Sequence, residues 1–486
     1  ISVVPVVTFG SQKLTLDTDY TVTIKDSKDS IVALDSLKMV GDYTIKIVGA
    51  GDYEGELTDS FRIFKGEFLN GYAFETDTDD DGTYYLINNA EDFERLAAYV
   101  NSKDNVSNGQ RFVQMNNITV STMVGSNEKR SFQGIYDGGN NTLTIDLNGT
   151  IEYCAPFSYL KNATIKDLNI AGTITTGKKY GASLAGTAYG TVNITNCVST
   201  AEIISTFETA NTDGTHGGFM ALTQGGSEVN FSNCVFKGKL LGANATSNGG
   251  FVGWNGSKIN FTDCLFAPAE ITMSAEESAT FNRNSNSTFT RAYYLEAYGE
   301  AQGLKVLAEA PATTMYKEVT AADGNTYFAP CDVTGVNELY VHTGDAISVV
   351  PVVTFGSQKL TLDTDYTVTI KDSKDSIVAP DSLKSIGDYT IKIAGAGDYK
   401  GSHTLNFRIV NGEVLNGYAF ETGTDDEGTF YMISSAEDFE SLAAYVNSAD
   451  NVSSGKRFVQ MNNITVSTMV GPNEQKSFQG IYDGIS

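Results

Sequence analysis

The residues of this chain that could do chemistry are few, and their spacing argues against a catalytic centre. Glycoside cleavage needs two carboxyl groups about 5 to 9.5 Å apart. The best-aligned acids, Asp167 and Asp263, fall three repeats from one another with neutral Asn196 and Asn233 between them, which predicts about 14 Å at 4.8 Å per repeat. There are only three histidines, and His403 stands where the other copy of its sequence has Leu57. His216 adjoins Gly217-Gly218 and reads as a solvated turn residue, while His342 lies in a strand-like stretch. The segment GAGDYEG (Gly49 to Gly55) sits between strand patterns and opens no helix. It is therefore expected to be a turn, because a phosphate cradle needs a helix amino terminus or comparable donors.

One loop has the composition of a cation site. Asp77, Asp79 and Asp81 in DTDDDG alternate as oxygen ligands would. The equivalent loop later in the chain has Gly423 in place of Asp77, and Asn88 stands where a closing glutamate belongs. The expectation is a solvated hairpin loop with no resident cofactor, Ca²⁺ being the sharper alternative. Trp254 and Tyr189 are candidates for stacking on sugars, although Trp254 follows the apolar Val252 by two residues and so could extend the same buried face.

What must position these residues is an array. Ile1 and Ile347 open near-identical sequences, and residues 347–484 repeat residues 1–138 with roughly four positions in five identical. CDVTGVNELYVHTGDA (Cys331 to Ala346) precedes the second copy, and nothing precedes the first. The chain thus reads as a window on a longer polymer of repeats. A formal charge of -26, with 33 Lys and Arg spread thinly against 59 Asp and Glu, makes nucleic acid and anionic membranes implausible partners. The five cysteines show no zinc spacing.

A shorter period lies inside the longer one. TIKDLNI, VNITNCV, VNFSNCVF, INFTDCLF and STFTRAYY place Leu168, Cys197, Cys234, Cys264 and Ala292 in one column, at intervals of roughly 28 to 37 residues. Each phrase alternates apolar and polar residues, as a strand with one buried face requires. Phe157, Leu184, Met220 and Val252, in glycine-flanked patches, are expected to form a second inward column. The doublets Gly217-Gly218 and Gly249-Gly250 mark corners. Asp167, Asn196, Asn233 and Asp263 are expected to satisfy turn backbone with their side chains, and the three cysteines to be buried, reduced thiols.

FQGIYDGGNNTLTIDL (Phe132 to Leu147) resembles the entry strand of bacterial surface β-helices of the GLUG-repeat type, and the GGFVG…NFTDC phrases resemble their coils. YYLINNAEDFERLAAYVN (Tyr84 to Asn101) is similar to their capping helix: Phe93, Leu96, Ala97 and Val100 fall at helical spacing, with Asn88 or Asn89 as N-cap. DYTVTI…GDYTIKI…FRI resembles bacterial Ig-like modules of adhesins and cell-wall proteins.

The resemblance implies an all-β chain in which a right-handed parallel β-helix (solenoid) with a short N-terminal capping helix alternates with Ig-like β-sandwich modules. The expected division is 1–65 Ig-like with its first strand missing, 66–300 capped β-helix, 301–330 a linking hairpin turning at Asp323-Gly324, 331–411 a second Ig-like module, and 412–486 the start of a second capped β-helix. It further implies an extracellular location on the bacterial cell surface and a non-enzymatic role as an adhesin stalk or fibre. Expected partners are neighbouring repeats or copies of the same chain, with host or microbial glycans or surface proteins as further candidates. A filament joined by strand addition and a carbohydrate-binding or carbohydrate-cleaving β-helix are the alternatives.

Overall fold

The computed structural model describes residues 3–35, 37–210, 215–283, 286–474 and 476–484. Ile1, where the first copy begins, lies outside the described residues. The fold is all-β, with two helices among many short strands in the described residues. The chain divides into two compact units, Ile1–Gly303 and Leu304–Ser486.

In the first unit, residues from Gly82 onward wind through parallel sheets. Gly82–Ile87, Arg111–Gln114, Ile135–Asp137, Thr164–Lys166, Thr191–Thr195, Glu228–Ser232, Lys258–Thr262 and Ser287–Thr290 pair in parallel, each with the next. A second parallel sheet runs through Phe157–Lys161, Ala185–Tyr189, Met220–Thr223 and Val252–Asn255. A third contains Thr142–Gly149 and Asn169–Thr176 with the shorter strands that follow them.

Alternation decides which side chains enter the core. Ile165, Ile194, Phe231 and Phe261 share one register row and are buried, whereas the intervening Asn193, Asn230 and Asn260 point outward. Phe231 and Phe261 stack at 5.3 Å with their planes 13° apart. Leu168, Cys197, Cys234, Cys264 and Ala292 are all buried in the same core, and all five cysteines are free thiols. Burial pushes the Cys197 and Cys264 thiols well above the ordinary thiol range.

The second inward column differs by one residue from expectation. Phe157 pairs with Ala185, then Met220 and Val252. Leu184 is buried one position earlier, its N–H donating to the carbonyl of Phe219. From there Phe219 meets Phe251 at a tilt, 5.0 Å between centroids, and Phe251 stacks on Phe281 at 4.8 Å. The glycine corners are required by contact: a Cβ on Gly249 would lie 1.8 Å from the carbonyl oxygen of Val252.

The first helix, α1 (Ala90–Ser102), begins later than the helical phrase because Gly82–Ile87 is a strand. Asn89 is its N-cap, accepting from the Asp92 N–H at 3.0 Å. Phe93, Leu96, Ala97 and Val100 are buried as its spacing predicts, and Tyr99 joins them. The Phe93 ring packs on Phe157 and Tyr136 at 5.9 and 6.1 Å, so the helix covers apolar surface at the start of the wound region.

Residues before the winding form a four-stranded antiparallel sheet in the order Ile31–Val32, Tyr20–Asp26, Gly41–Gly49, Glu56–Ile63. The second unit repeats that sheet as Ile377–Val378, Tyr366–Asp372, Gly387–Gly395 and Tyr399–Val410, and extends it. Met315–Thr320 and Thr326–Pro330 form the expected hairpin, with Gly324 at φ 76°. That hairpin is more than a link, because Met315–Lys317 pairs with Tyr399–Gly401 and both Met315 and Cys331 enter the module's core. Leu339–Val341 adds in parallel to Arg408–Val410. A second helix, α2 (Ala436–Ser448), repeats α1 and is closed by a capping box from Ser435 and Asp438.

Candidate functional site

The aspartate loop is the tip of a hairpin joining Tyr72–Asp79 to Gly82–Ile87. Both Asp79 carboxylate oxygens accept from Arg111 Nη1, at 2.8 and 2.7 Å, and Oδ1 also accepts the Asp81 N–H at 3.0 Å. Asp77 accepts from the adjacent Thr78 N–H at 2.8 Å. The Arg111 guanidinium holds the Asp79 carboxyl below its usual range, and the second copy rebuilds the pair as Arg457 with Asp425 at 2.7 Å. The loop's central carboxylate is therefore committed to a cation that both copies supply. Among the described residues no group of three or more His, Cys, Asp or Glu side chains is placed to hold a metal ion.

Asp167, Asn196, Asn233, Asp263 and Arg291 occupy one corner of successive windings, all in the left-handed region at φ 50 to 54°. Asn and Asp tolerate that region better than most residues, which explains the column. Their side chains do something other than expected. Asn196 Nδ2 donates to Asp167 Oδ1 at 2.8 Å, Asn233 Nδ2 to Asn196 Oδ1 at 3.0 Å, and Arg291 Nη2 to Asp263 Oδ2 at 2.7 Å. The backbone N–H of each of the first four donates instead to a carbonyl of the next winding, from Thr195, Ser232, Thr262 and Thr290. Asp167 and Asp263 each face a cation, Lys166 at 3.3 Å and Arg291.

A second outward ladder escaped the sequence reading. Asn230 Nδ2 donates to Asn193 Oδ1 at 3.0 Å, Asn260 Nδ2 to Asn230 Oδ1 at 2.6 Å, and Thr288 Oγ1 to Asn260 Oδ1 at 2.6 Å. Its signal was present as the recurring N in VNIT, VNFS and INFT, one residue before the inward Ile194, Phe231 and Phe261.

His216 is not a solvated turn residue. It is fully buried, its Nδ1 accepts the Gly181 N–H at 3.0 Å, and its ring stacks on Phe207 at 5.7 Å. The Gly217 corner turns the ring inward, and burial lowers its pKa to about 4. The Nε2 atom has no hydrogen-bond partner. His342 donates its backbone N–H to Val410, and His403 Nδ1 lies 3.1 Å from the Thr313 carbonyl oxygen. The three histidines thus occupy unrelated places.

Trp254 does not extend the buried face of Val252. It is 40% exposed, with the Arg283 guanidinium 4.8 Å above its ring. A tyrosine cluster lies on the first windings. Tyr153 stacks on Tyr180 at 4.9 Å and meets Tyr159 at 5.2 Å, all three half-buried. Tyr153 and Tyr180 hold φ values of 62° and 68°, unusual for bulky residues. Burial and the neighbouring tyrosines push the Tyr153 hydroxyl up to about 12. Tyr189, half-buried on the next strand, pairs in register with Lys161.

No protein family, curated protein or solved structure matches this chain. No helix among the described residues is long and apolar enough to cross a membrane.

Proposed function

We propose that this chain is a segment of a repetitive extracellular surface protein of bacterial type, acting as a non-catalytic adhesin stalk or fibre. The wound region is then a right-handed parallel β-helix capped by α1, alternating with Ig-like modules. The observation that carries this reading is the tandem copy: near-identical sequences 346 residues apart, Ile1 to Ile347, form the same sheet and helix twice. Parallel windings have nearest-neighbour cores, so repeats add length without altering the local fold. The outward ladders and paired carboxylates support a structural role, since the acids most suited to chemistry are engaged by cations.

Length is the test. Proteins carrying one, two and three copies of residues 1–346 are expected to grow by a constant increment per copy in electron micrographs and in small-angle scattering. Growth as the square root of copy number, the behaviour of flexibly joined beads, would sink the stalk reading.

A second reading, glycan recognition, is supported by the tyrosine cluster. Aromatic faces receive the C–H faces of sugars, and two of these rings sit on backbone that bulky residues rarely adopt, a feature that gathers at functional sites. Retention on immobilised polysaccharides is expected to fall when Tyr153 and Tyr180 are both replaced by Ala. Equal retention of the variant and the parent would remove this reading.

A further inference from the structure

One row of side chains on the second parallel sheet crosses four windings. Tyr159 stands in register with Thr187, Thr187 with Leu222, and Leu222 with Trp254. The row is distinct from the inward column: Met220 and Val252 enter the core of the wound region, whereas Leu222 is buried outside that core and Trp254 is 40% exposed. Aromatic rings stand at both ends. Tyr159 meets Tyr153, which stacks on Tyr180, and at the far end the Arg283 guanidinium lies over the Trp254 ring. Between them Gln224 Nε2 donates to Thr187 Oγ1 at 3.3 Å. Aromatic surface with a few placed polar groups is the usual lining of a ligand site.

We propose that this row is a binding strip for an extended, uncharged β-1,4-linked hexose chain, which lies across the windings with one sugar to a winding. The proposal rests on the glycan reading above and gives it a substrate class and a length. Neighbouring strands are about 4.8 Å apart, so Tyr159 and Trp254 are separated by about 14 Å. An extended β-1,4-linked chain advances by a closely similar step per hexose, which puts the fourth sugar over Trp254 when the first is over Tyr159. An α-1,4-linked chain coils and leaves the row within a few sugars.

Charge selects the uncharged chain. The protein carries a formal charge of -26, which repels acidic polysaccharides, and no carboxylate stands in the row. Lys161, in register with Tyr189, is paired with Glu128 at 2.8 Å, and Arg283 faces Glu277 at 3.5 Å. Both cations are already neutralised, so neither is left to offset that repulsion.

The test titrates the full 486-residue chain with β-1,4-linked oligomers of glucose and of N-acetylglucosamine, two to six units long, and with α-1,4-linked glucose oligomers as the control. Trp254 is the only tryptophan, so its fluorescence reports on one end of the row in the unaltered protein. Affinity for at least one β-linked series is expected to rise up to four sugars and then level, with the Trp254 emission shifting as the four-sugar oligomer binds. Trp254→Ala is expected to bind that oligomer about tenfold more weakly, the scale of one aromatic contact. The proposal is overturned if neither β-linked series binds, if affinity does not depend on length, if the emission stays fixed while an oligomer binds, or if the α-linked series binds equally well. The emission is read on the parent chain, so the result stands even where Trp254→Ala disturbs the sheet. A fixed emission, with retention still lost on replacing Tyr153 and Tyr180, would remove the strip and leave the glycan reading; equal retention of that double variant would remove the reading itself.

Discussion

Phe231→Asp is expected to cost the first unit about 5 kcal/mol and to abolish folding of the windings around it. The Phe231 ring is 1% exposed and packs against Phe219, Phe251 and Phe261, with centroids 6.0, 5.7 and 5.3 Å away. Removing it forfeits the transfer energy of a whole ring and leaves a void whose walls belong to adjacent windings. The carboxyl that replaces it has no cation in that stack, so it must either ionise in an apolar core or fold only as the acid. A total stability of about 5 to 15 kcal/mol cannot absorb both losses. Cys234→Asp, at a position with no exposure, is expected to act in the same direction.

The adjacent Asn230 makes the control. Its side chain lies outside the core but bonds to Asn193 and Asn260, so Asn230→Ala is expected to cost about 1 to 2 kcal/mol, the worth of two net hydrogen bonds. Thermal and urea unfolding monitored by far-UV circular dichroism would order the variants. Similar midpoints for Phe231→Asp and Asn230→Ala would mean that the strand faces are exchanged, since a shift of one residue reverses every side chain.

The core was legible because it obeys two periods at once. Alternation within a strand placed Phe231 inward, and the longer interval placed Cys197, Cys234 and Cys264 over one another. The corner residues were legible only in part. Asn196 and Asn233 could be placed at a turn by residue type, but whether an amide bonds its own turn or the next winding depends on the distance between windings, which no single phrase contains.

His216 was misread for a related reason. Beside two glycines a histidine suggests exposed turn backbone, yet those glycines let the chain pass close to Met220 and Gly250 and carry the ring inside. The link between the modules was misread because Met315 and Cys331 contact Tyr399 and its neighbours, which lie roughly 70 to 85 residues later in sequence. Local alternation finds the hairpin but not the sheet it joins.

Acid is expected to weaken the first unit through His216, by about 3 kcal/mol between pH 6.5 and pH 4. The direction follows from proton uptake. In the unfolded chain the imidazole titrates near its ordinary value of about 6.5, whereas in the fold burial lowers it to about 4. Above pH 6.5 neither state binds the proton, so the residue adds no pH dependence. Between the two values the unfolded state is protonated and the folded state is not, so stability falls steadily as pH drops. Below pH 4 both states bind it and the loss is complete.

The structure explains why the folded state resists protonation. Nδ1 already accepts the Gly181 N–H, Phe207 covers the ring, and Nε2 has no acceptor for a shared positive charge. Carboxylates also titrate in this window, so the measurement is a difference between proteins. His216→Gln can retain an acceptor for Gly181 but cannot take up a proton near neutrality. Its apparent unfolding free energy is expected to drop less than that of the parent between pH 7.5 and pH 4.5, by an amount that tracks the histidine alone. Identical losses in the two proteins would place His216 in contact with water, and with it the Gly217-Gly218 corner that turns its ring inward.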